Sequence, residues 1–468
     1  MRDALLDREI HDLDFAMGDD PTALARRVAK RLKAGFFVLD DERHTARVYY
    51  RASQGVFSPL DFVQFTGGGL EEDLRSRDFT INAMAVSLKE DGQIIDPLHG
   101  RADLSAGLLR LCSPQALLDD PVRVLRGIRL ALQFGFKFVE ELPAQLHAAA
   151  GSLAATSYER QRDEFFKILE GPDPGEGMRT CRKFGVFDTL IPPLIEQEGI
   201  PASPPHTLPL FDHTIDAVAS YGKLLDRICS EDVTQDQSPW WLSHAAAELS
   251  VFSKEVGSFF AEEITLGRSK RGLALFGALI HDIGKPLTMK TGEDERLHYR
   301  GHARVGADLA WDAARRLQLS NAEAGWIQTM VRRHMKLLPL VNAKPPLSRQ
   351  AVYRFFSQTE DVGVAIALHS LADTVATFGD SLTPEKWQTA VGVTRQLFAA
   401  WWEGKEVLIS PRLLLDGNDL QEAFGLKPSK QIGVLLEALR EAQAVGEVTS
   451  LEEAKAFIHA KINQTVKG

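Results

Sequence analysis

Cysteine is nearly missing from this sequence. Three occur in 468 residues, Cys112, Cys181 and Cys229, far apart and in no metal-binding spacing. That excludes a disulfide scaffold or a zinc ribbon and points to a reducing compartment, the cytoplasm. An excess of positive charge is lacking too. At a net charge of −10 there is no global basic field to hold long nucleic acid, so any RNA contact has to come from local patches. No signal-peptide pattern and no apolar run of membrane-span length are read, so neither export nor a membrane is expected. Repeats and low-complexity segments are absent, which excludes solenoids. What remains is an ordinary globular composition, 44% hydrophobic and 25% charged, with room for about three or four domains.

The first informative stretch is MRDALLDREIHDLDFAM, Met1 to Met17. Ile10 to Phe15 is expected to form a short strand, on which residues two apart share a face. Asp12 and Asp14 then project together, about 6.5–7 Å apart, while Leu13 and Phe15 turn towards a core. Such a pair suits Mg²⁺ ions that clamp a triphosphate and lower the pKa of an attacking hydroxyl. Alone, an Asp-x-Asp is common. Val48 to Arg51 and Leu60 to Phe65 read as further strands; Asp61, in SPLDFVQF, is either a third metal carboxylate or a solvent-facing residue. Gly67-Gly68-Gly69 reads as a turn. In the following RSRDFTINAMA, Asp78 or Thr80 is expected to cap a helix. Arg77 there is available to phosphate oxygens and Asn82 to a ribose hydroxyl. A solvated basic helix start is the plain alternative.

Together these strings resemble the class II tRNA nucleotidyltransferase and poly(A) polymerase family, of the DNA polymerase beta-like superfamily. The family opens with GG-x-VRD-x-LLG-R and Asp-x-Asp, and later carries RRDFTINAMA. Arg2-Asp3, Leu5-Leu6, Arg8, Asp12 and Asp14 match the first string, and Arg77 to Ala85 the second. The resemblance implies that Asp12 and Asp14 hold the catalytic Mg²⁺ and that Arg77 and Asp78 serve the sugar and phosphate side of the nucleotide site; Asp61 is a further catalytic candidate, and Arg2 and Asn82 are further nucleotide-binding candidates. Met1 stands where the family has Val, Asp7 where it has Gly, and Ser76 where it has Arg. The Gly-Gly pair does not appear, so an N-terminally truncated head is expected.

Asp119-Asp120-Pro121-Val122-Arg123, running on to Gly135, reads as a helix with Pro121 in its first turn and Gly135 as its stop. Asp120 and Arg123, three apart, share a face. A carboxylate accepts from the amino group of cytosine or adenine, and a guanidinium donates to their ring acceptors. Uracil and guanine present a carbonyl in place of the amino group. The alternative is that Asp120 caps its helix. The stretch resembles the family's base-selecting EDxxR motif, with Asp119 in place of Glu. That implies base choice by Asp120 and Arg123 without a template, with Arg126 in the same nucleotide site. Glu159-Arg160 with Glu164 resembles the next motif and reads as a structural ion-pair set.

After the breaker Gly171-Pro172-Asp173-Pro174-Gly175 the pattern is almost all helical. His213, His281-Asp282-Ile283-Gly284-Lys285 and Asp373 recur in order, with His302 in GHARVGA and His334 in RRHM. Imidazoles and carboxylates from separate helices suit a divalent metal that activates water. The series resembles the HD phosphohydrolase superfamily. The resemblance implies that His213, His281, Asp282 and Asp373 ligate Ni²⁺, Mn²⁺ or Mg²⁺, and that His302 and His334 take phosphate or a second metal.

The expectation is an α+β protein. A small polymerase beta-like head spans 1–88, followed by an all-α neck (89–170), an HD domain (171–400) and a helical tail (401–468). The expected activity is addition of CMP and AMP from CTP and ATP to the tRNA 3′ end. The alternatives are a poly(A) polymerase, a partial CC- or A-adding enzyme, or an HD phosphohydrolase with a degenerate head. Oligomeric state is not read from the sequence.

Overall fold

The structure is a computed structural model describing all residues except 11, 41–43, 52–56, 89–91, 231–237, 344 and 467–468. It divides into two compact units, Met1–Pro172 with Thr180–Thr189, and Asp173–Arg179 with Leu190–Gly468. The expected head–neck boundary abuts residues 89–91, outside those described.

The first unit opens with α1 (Arg2–Leu5), β1 (Leu13–Met17), α2 (Pro21–Leu32), β2 (Gly35–Asp40), β3 (Thr45–Arg51) and β4 (Phe57–Gln64). The strands form one sheet in the order β1-β4-β3-β2, with β1 parallel to β4 and the other pairs antiparallel. Asp20 caps α2 by accepting from the Ala23 N–H, and Pro21 needs no donor at the first helical position. Ala25 and Ala29 are buried and small enough to seat α2 close to the sheet. Phe15 stacks on Phe62 with centroids 5.1 Å apart, and Met17, Phe36, Val48 and Leu60 join this core. By strand alternation Asp14, Asp61, Arg47 and Phe37 occupy the opposite face.

Two local expectations are corrected. β1 begins at Leu13, so Asp12 precedes the strand. Its ladder starts at Leu13–Leu60, and the next position on β4 is Pro59, which has no N–H to offer. Asp78 and Thr80 do not begin a helix: α3 (Leu70–Ser76) ends before them, and only a single 3₁₀ turn forms at Thr80–Asn82. Asp78 accepts from the Phe79 N–H and the Asn82 amide, while the Thr80 and Cys112 N–H groups pair this stretch with 110–112. Side-chain and cross-strand bonds therefore replace helical ones.

Beyond two short ladders, Ala85–Val86 with Ile94–Ile95 and Leu108–Leu109 with Lys137–Phe138, the rest of the unit is mainly helical, with α4 (Gly100–Ala106), α5 (Ala116–Asp119), α6 (Arg123–Phe134), α7 (Leu142–Ala150) and α8 (Tyr158–Leu169). α6 starts at Arg123, three residues later than Asp120, which is extended between α5 and α6. Gly135 closes α6 in the left-handed region, as expected.

The second unit packs the long helices Leu210–Cys229, Lys270–Ile280, His302–Arg316, Asn321–Arg333, Val362–Phe378 and Pro384–Trp402. The sequence reading found no membrane-length apolar run. Val362–Ser381 is one by length and composition, but it is apolar because it is the buried central helix of this unit. Residues after 410 build a separate small core from Leu420, Leu435, Leu439, Ala454 and Ile458.

Candidate active sites in the two units

Asp14 and Asp61 are direct register partners on β1 and β4, and Asp12 stands two residues ahead. Asp61 is held by a bidentate ion pair with Arg47, at 2.6 and 2.7 Å. Among the described residues, neither Asp12 nor Asp14 has an ion-pair partner. The Asp14 carboxyl is open to solvent at its edge, yet it is pushed above the ordinary carboxylate range. Partial burial is the main cause, followed by the charges of Asp12 and Asp61; Arg77 opposes the shift. Asp12 and Asp14 offer the unpaired carboxylate oxygens a hard divalent cation takes, while both Asp61 oxygens are engaged by Arg47.

Behind this face runs a polar network. Arg2 donates to Asn82 Oδ1 (2.7 Å), Asn82 to Asp78 Oδ1 (3.0 Å), and Arg126 to Asp78 Oδ2 (3.1 Å). Arg126 also lies 3.5 Å from Glu164, which Arg129 meets at 2.6 Å. Asp78 is buried and filled by internal donors, so it positions Asn82 and Arg126 around it. Arg77 bonds the Asn82 carbonyl and pairs with Asp73.

The guanidinium of Arg123 is fixed by the carbonyls of Ser76, Arg77 and Ala116. Asp120 Oδ2 lies 4.0 Å from Arg123 Nε and 2.6 Å from Arg160 Nη2. Asp120 Oδ1 and Arg123 Nε are buried and have no hydrogen-bond partner. An orphan acceptor beside an orphan donor is costly unless something polar fills the space.

In the second unit His213, His281 and Asp282 form one group of ligand atoms, and Asp282, His302 and His334 another. His213 Nε2 is 3.1 Å from Asp373 Oδ1 and 3.7 Å from Asp282 Oδ2. His281 Nε2 is 3.0 Å from Asp282 Oδ2, while His302 and His334 approach Asp282 Oδ1 at 3.4 and 3.8 Å. The Nε2 atoms of His213 and His281 are buried without a hydrogen bond. Nδ1 of His281, His302 and His334 donates to the carbonyls of Ala278, Tyr299 and Val331, so Nε2 is the nitrogen each ring turns towards Asp282. These donors fit a divalent metal of the kind imidazole and carboxylate select. Burial opposes charge on His281, but Asp282 and Asp373 outweigh it and raise its pKa to about 10. Gly284 is required here: a Cβ would collide with the His302 carbonyl and the backbone of Gly306, which the close crossing brings together.

Three family descriptions match: the poly A polymerase head domain over residues 1–110, a probable RNA and SrmB-binding site of polymerase A over 135–197, and the HD domain over 253–355. The A-adding tRNA nucleotidyltransferase of Deinococcus radiodurans is 31% identical, over 99% of this chain and 94% of that protein. The chain belongs to the tRNA nucleotidyltransferase family. The CC-adding tRNA nucleotidyltransferase of Thermus thermophilus is 30% identical over 98% of this chain and 91% of its own length. The Thermotoga maritima CCA-adding enzyme, solved with tRNA, shares the fold at a TM-score of 0.57 and 20% identity, with 98% of this chain and 89% of that one covered.

Three further residues touch the candidate site residues without standing out in the sequence. Arg160, which reads as part of a structural ion-pair set, donates to Asp120. His369 lies one helical turn before Asp373, its ring 4.7 Å from that of His281; the i, i+4 spacing is a readable signal. His206, in the proline loop, packs on His213 at 4.8 Å and lies 3.4 Å from Lys285, which itself pairs with Asp282. No sequence signal marks His206.

Glu164 is held below the ordinary glutamate pKa. Burial resists this, but Arg129, Lys167 and Arg126 prevail. Its stabilising contribution is therefore complete above the unfolded value of 4.5 and lost as pH falls through the lower folded value. Glu164→Gln is expected to flatten the acid limb of thermal stability below about pH 5, read from melting temperatures between pH 3 and 7.

Proposed function

We propose that the chain transfers a nucleotidyl group from CTP or ATP to the 3′ hydroxyl of tRNA, in the cytoplasm. Residues 1–88 are the catalytic head, 89–170 the base-selecting neck, 171–400 the HD domain and 401–468 the tail. The hydroxyl oxygen bonds to the α-phosphorus, the α–β phosphoanhydride bond breaks, and pyrophosphate leaves. Mg²⁺, when held by Asp12, Asp14 and Asp61, supplies Lewis-acid activation and charge neutralisation. The chain's own residues orient the reactants. Arg77 faces the phosphates beside Asp14, and the Arg2–Asn82–Asp78–Arg126 network keeps that side rigid. Asp120 Oδ1 accepts from the base amino group and Arg123 Nε donates to its ring. The observation that carries the reading is Asp14 in register with Asp61 on an open face, with Asp12 two residues ahead.

The test is extension of tRNA lacking its terminal CCA, with Mg²⁺ and CTP and ATP supplied singly and together. Addition of nucleotides in CCA order supports the reading. Homopolymer tails would identify a poly(A) polymerase, and no addition would leave only the HD reading. A partial enzyme, adding CC or the final A alone, is the second reading. It is favoured because four relatives that align along 98–99% of the chain are partial enzymes, one A-adding and three CC-adding. Asp120→Ala is expected to reduce discrimination against UTP and GTP by roughly 5- to 150-fold, since a good polar pair at a base edge contributes about 1–3 kcal/mol. Competition between nucleotides in single-turnover extension measures it.

The helical unit is proposed to hydrolyse 2′,3′-cyclic phosphates or phosphomonoesters. His213, His281, Asp282 and Asp373 would hold the metal, which supplies an activated water; His302 and His334 would serve phosphate or a second ion. Turnover of a 2′,3′-cyclic nucleotide with Ni²⁺, Mn²⁺ or Mg²⁺ tests this, and no turnover with any of them removes it.

A further inference from the structure

The open face of the head sheet carries more than acids. Reading across the strands in register gives Asp14 on β1, Asp61 on β4, Arg47 on β3 and Phe37 on β2. Strands lie about 4.8 Å apart, which puts Phe37 roughly 14 Å from Asp14 on the same surface. Phe37 is 55% exposed, and Tyr49, two residues along β3 from Arg47, is 37% exposed. The two rings meet edge to face with centroids 5.7 Å apart, and the Arg47 guanidinium lies 5.9 Å from the Tyr49 ring. Leu39 adds a further apolar side chain, half exposed.

This surface is not overflow from the core. The core residues of the same strands, Phe36 and Val48, pack beneath α2 on the other face. β2 therefore presents large rings on both faces, and those on the acid-bearing face are wet. Exposed rings on an open sheet, next to a site for a ribose hydroxyl, have the chemistry of a platform for unpaired bases.

We propose that Phe37 and Tyr49 stack unpaired nucleotides near the RNA 3′ end, a few positions behind the reacting hydroxyl. The inference rests on the transferase reading and deepens it. Stacking is tolerant of base identity because every base has a π-face. That property suits a primer whose last residues change as it grows. Arg47, between the platform and the acids, is taken up by its ion pair with Asp61, so the binding expected here comes from the rings.

The test uses the full chain. Phe37→Ala and Tyr49→Ala are each expected to lower kcat/KM for tRNA about tenfold or more, with KM for CTP and ATP unchanged and Tyr49→Phe close to wild type. An abasic residue near the RNA 3′ end should weaken wild-type use by a similar factor but cost the Phe37→Ala variant little more. A Phe37→Trp reporter should be quenched by a short single-stranded RNA and not by heparin, which has charge but no bases. Alanine variants that keep the wild-type KM for tRNA, or lose only thermal stability, overturn the proposal. So does equal quenching by heparin. If the wild type extends no tRNA, the transferase reading falls, while the quenching experiment still decides the platform.

Discussion

Asp14→Asn is expected to lower nucleotide addition at least a thousandfold, equivalent to about 4 kcal/mol of transition-state stabilisation, with tRNA affinity and HD-domain hydrolysis unchanged. The amide keeps the size of the carboxylate and removes its charge. Among the described residues Asp14 has no ion-pair partner to lose, unlike Asp61, whose replacement would strand Arg47. Burial and two neighbouring carboxylates raise the Asp14 pKa, so ionising this carboxyl costs folding stability. Removing that charge should leave the melting temperature unchanged or slightly higher. Lost turnover with intact or improved stability is a combination a structural residue does not give. Single-turnover extension, tRNA binding and thermal melting, run in parallel, check it. An Asp14→Asn variant that still adds nucleotides at the wild-type rate would refute the metal assignment.

The second large effect is expected at the helical unit. Asp373→Asn should weaken metal binding and hydrolysis there by about a hundredfold or more, while tRNA extension with Mg²⁺ proceeds normally; outer partners of metal ligands alone are worth 10–100-fold. Asp373 is the better target than Asp282. Its side chain is 30% exposed, whereas Asp282 is buried against Lys285 at 2.5 Å. Deleting Asp282 would leave that lysine buried and unpaired, a defect of about 3–5 kcal/mol that would confuse lost folding with lost chemistry. Metal titration by calorimetry and cyclic-nucleotide hydrolysis, each before and after chelation, measure the effect. Equal hydrolysis by both proteins would place the metal elsewhere.

What could be read in the chain and what could not follow from the range of the interactions. The strand position of Asp14 was legible because two-residue alternation is local, whereas Asp12, expected on the same strand, lies just ahead of it. The partnership of Asp61 with Arg47 was not legible, because it needs the register of β3 against β4. The RSRDF stretch was misread as a helix since its composition permits one; the outcome was decided by bonds from Asp78 and from residues 110–112. Arg160 and Glu164 looked self-contained at helical spacing, yet both reach across to other segments, Arg160 to Asp120 and Glu164 to α6. His281, Asp282 and Asp373 stood out because their motifs are short and ordered. His206 sits in a loop whose path only the fold determines.

The histidine anchoring has an evolutionary corollary. His281, His302 and His334 are each oriented by a carbonyl three positions back in their own segment, not by a distant partner. Tautomer and aim are thus inherited with three short peptides. The surrounding helices are free to diverge in sequence, and even to shift, without re-specifying which nitrogen looks inward. Such a centre should survive in homologues whose helical cores have drifted beyond recognition, and should be among the easier ones to transplant into another bundle.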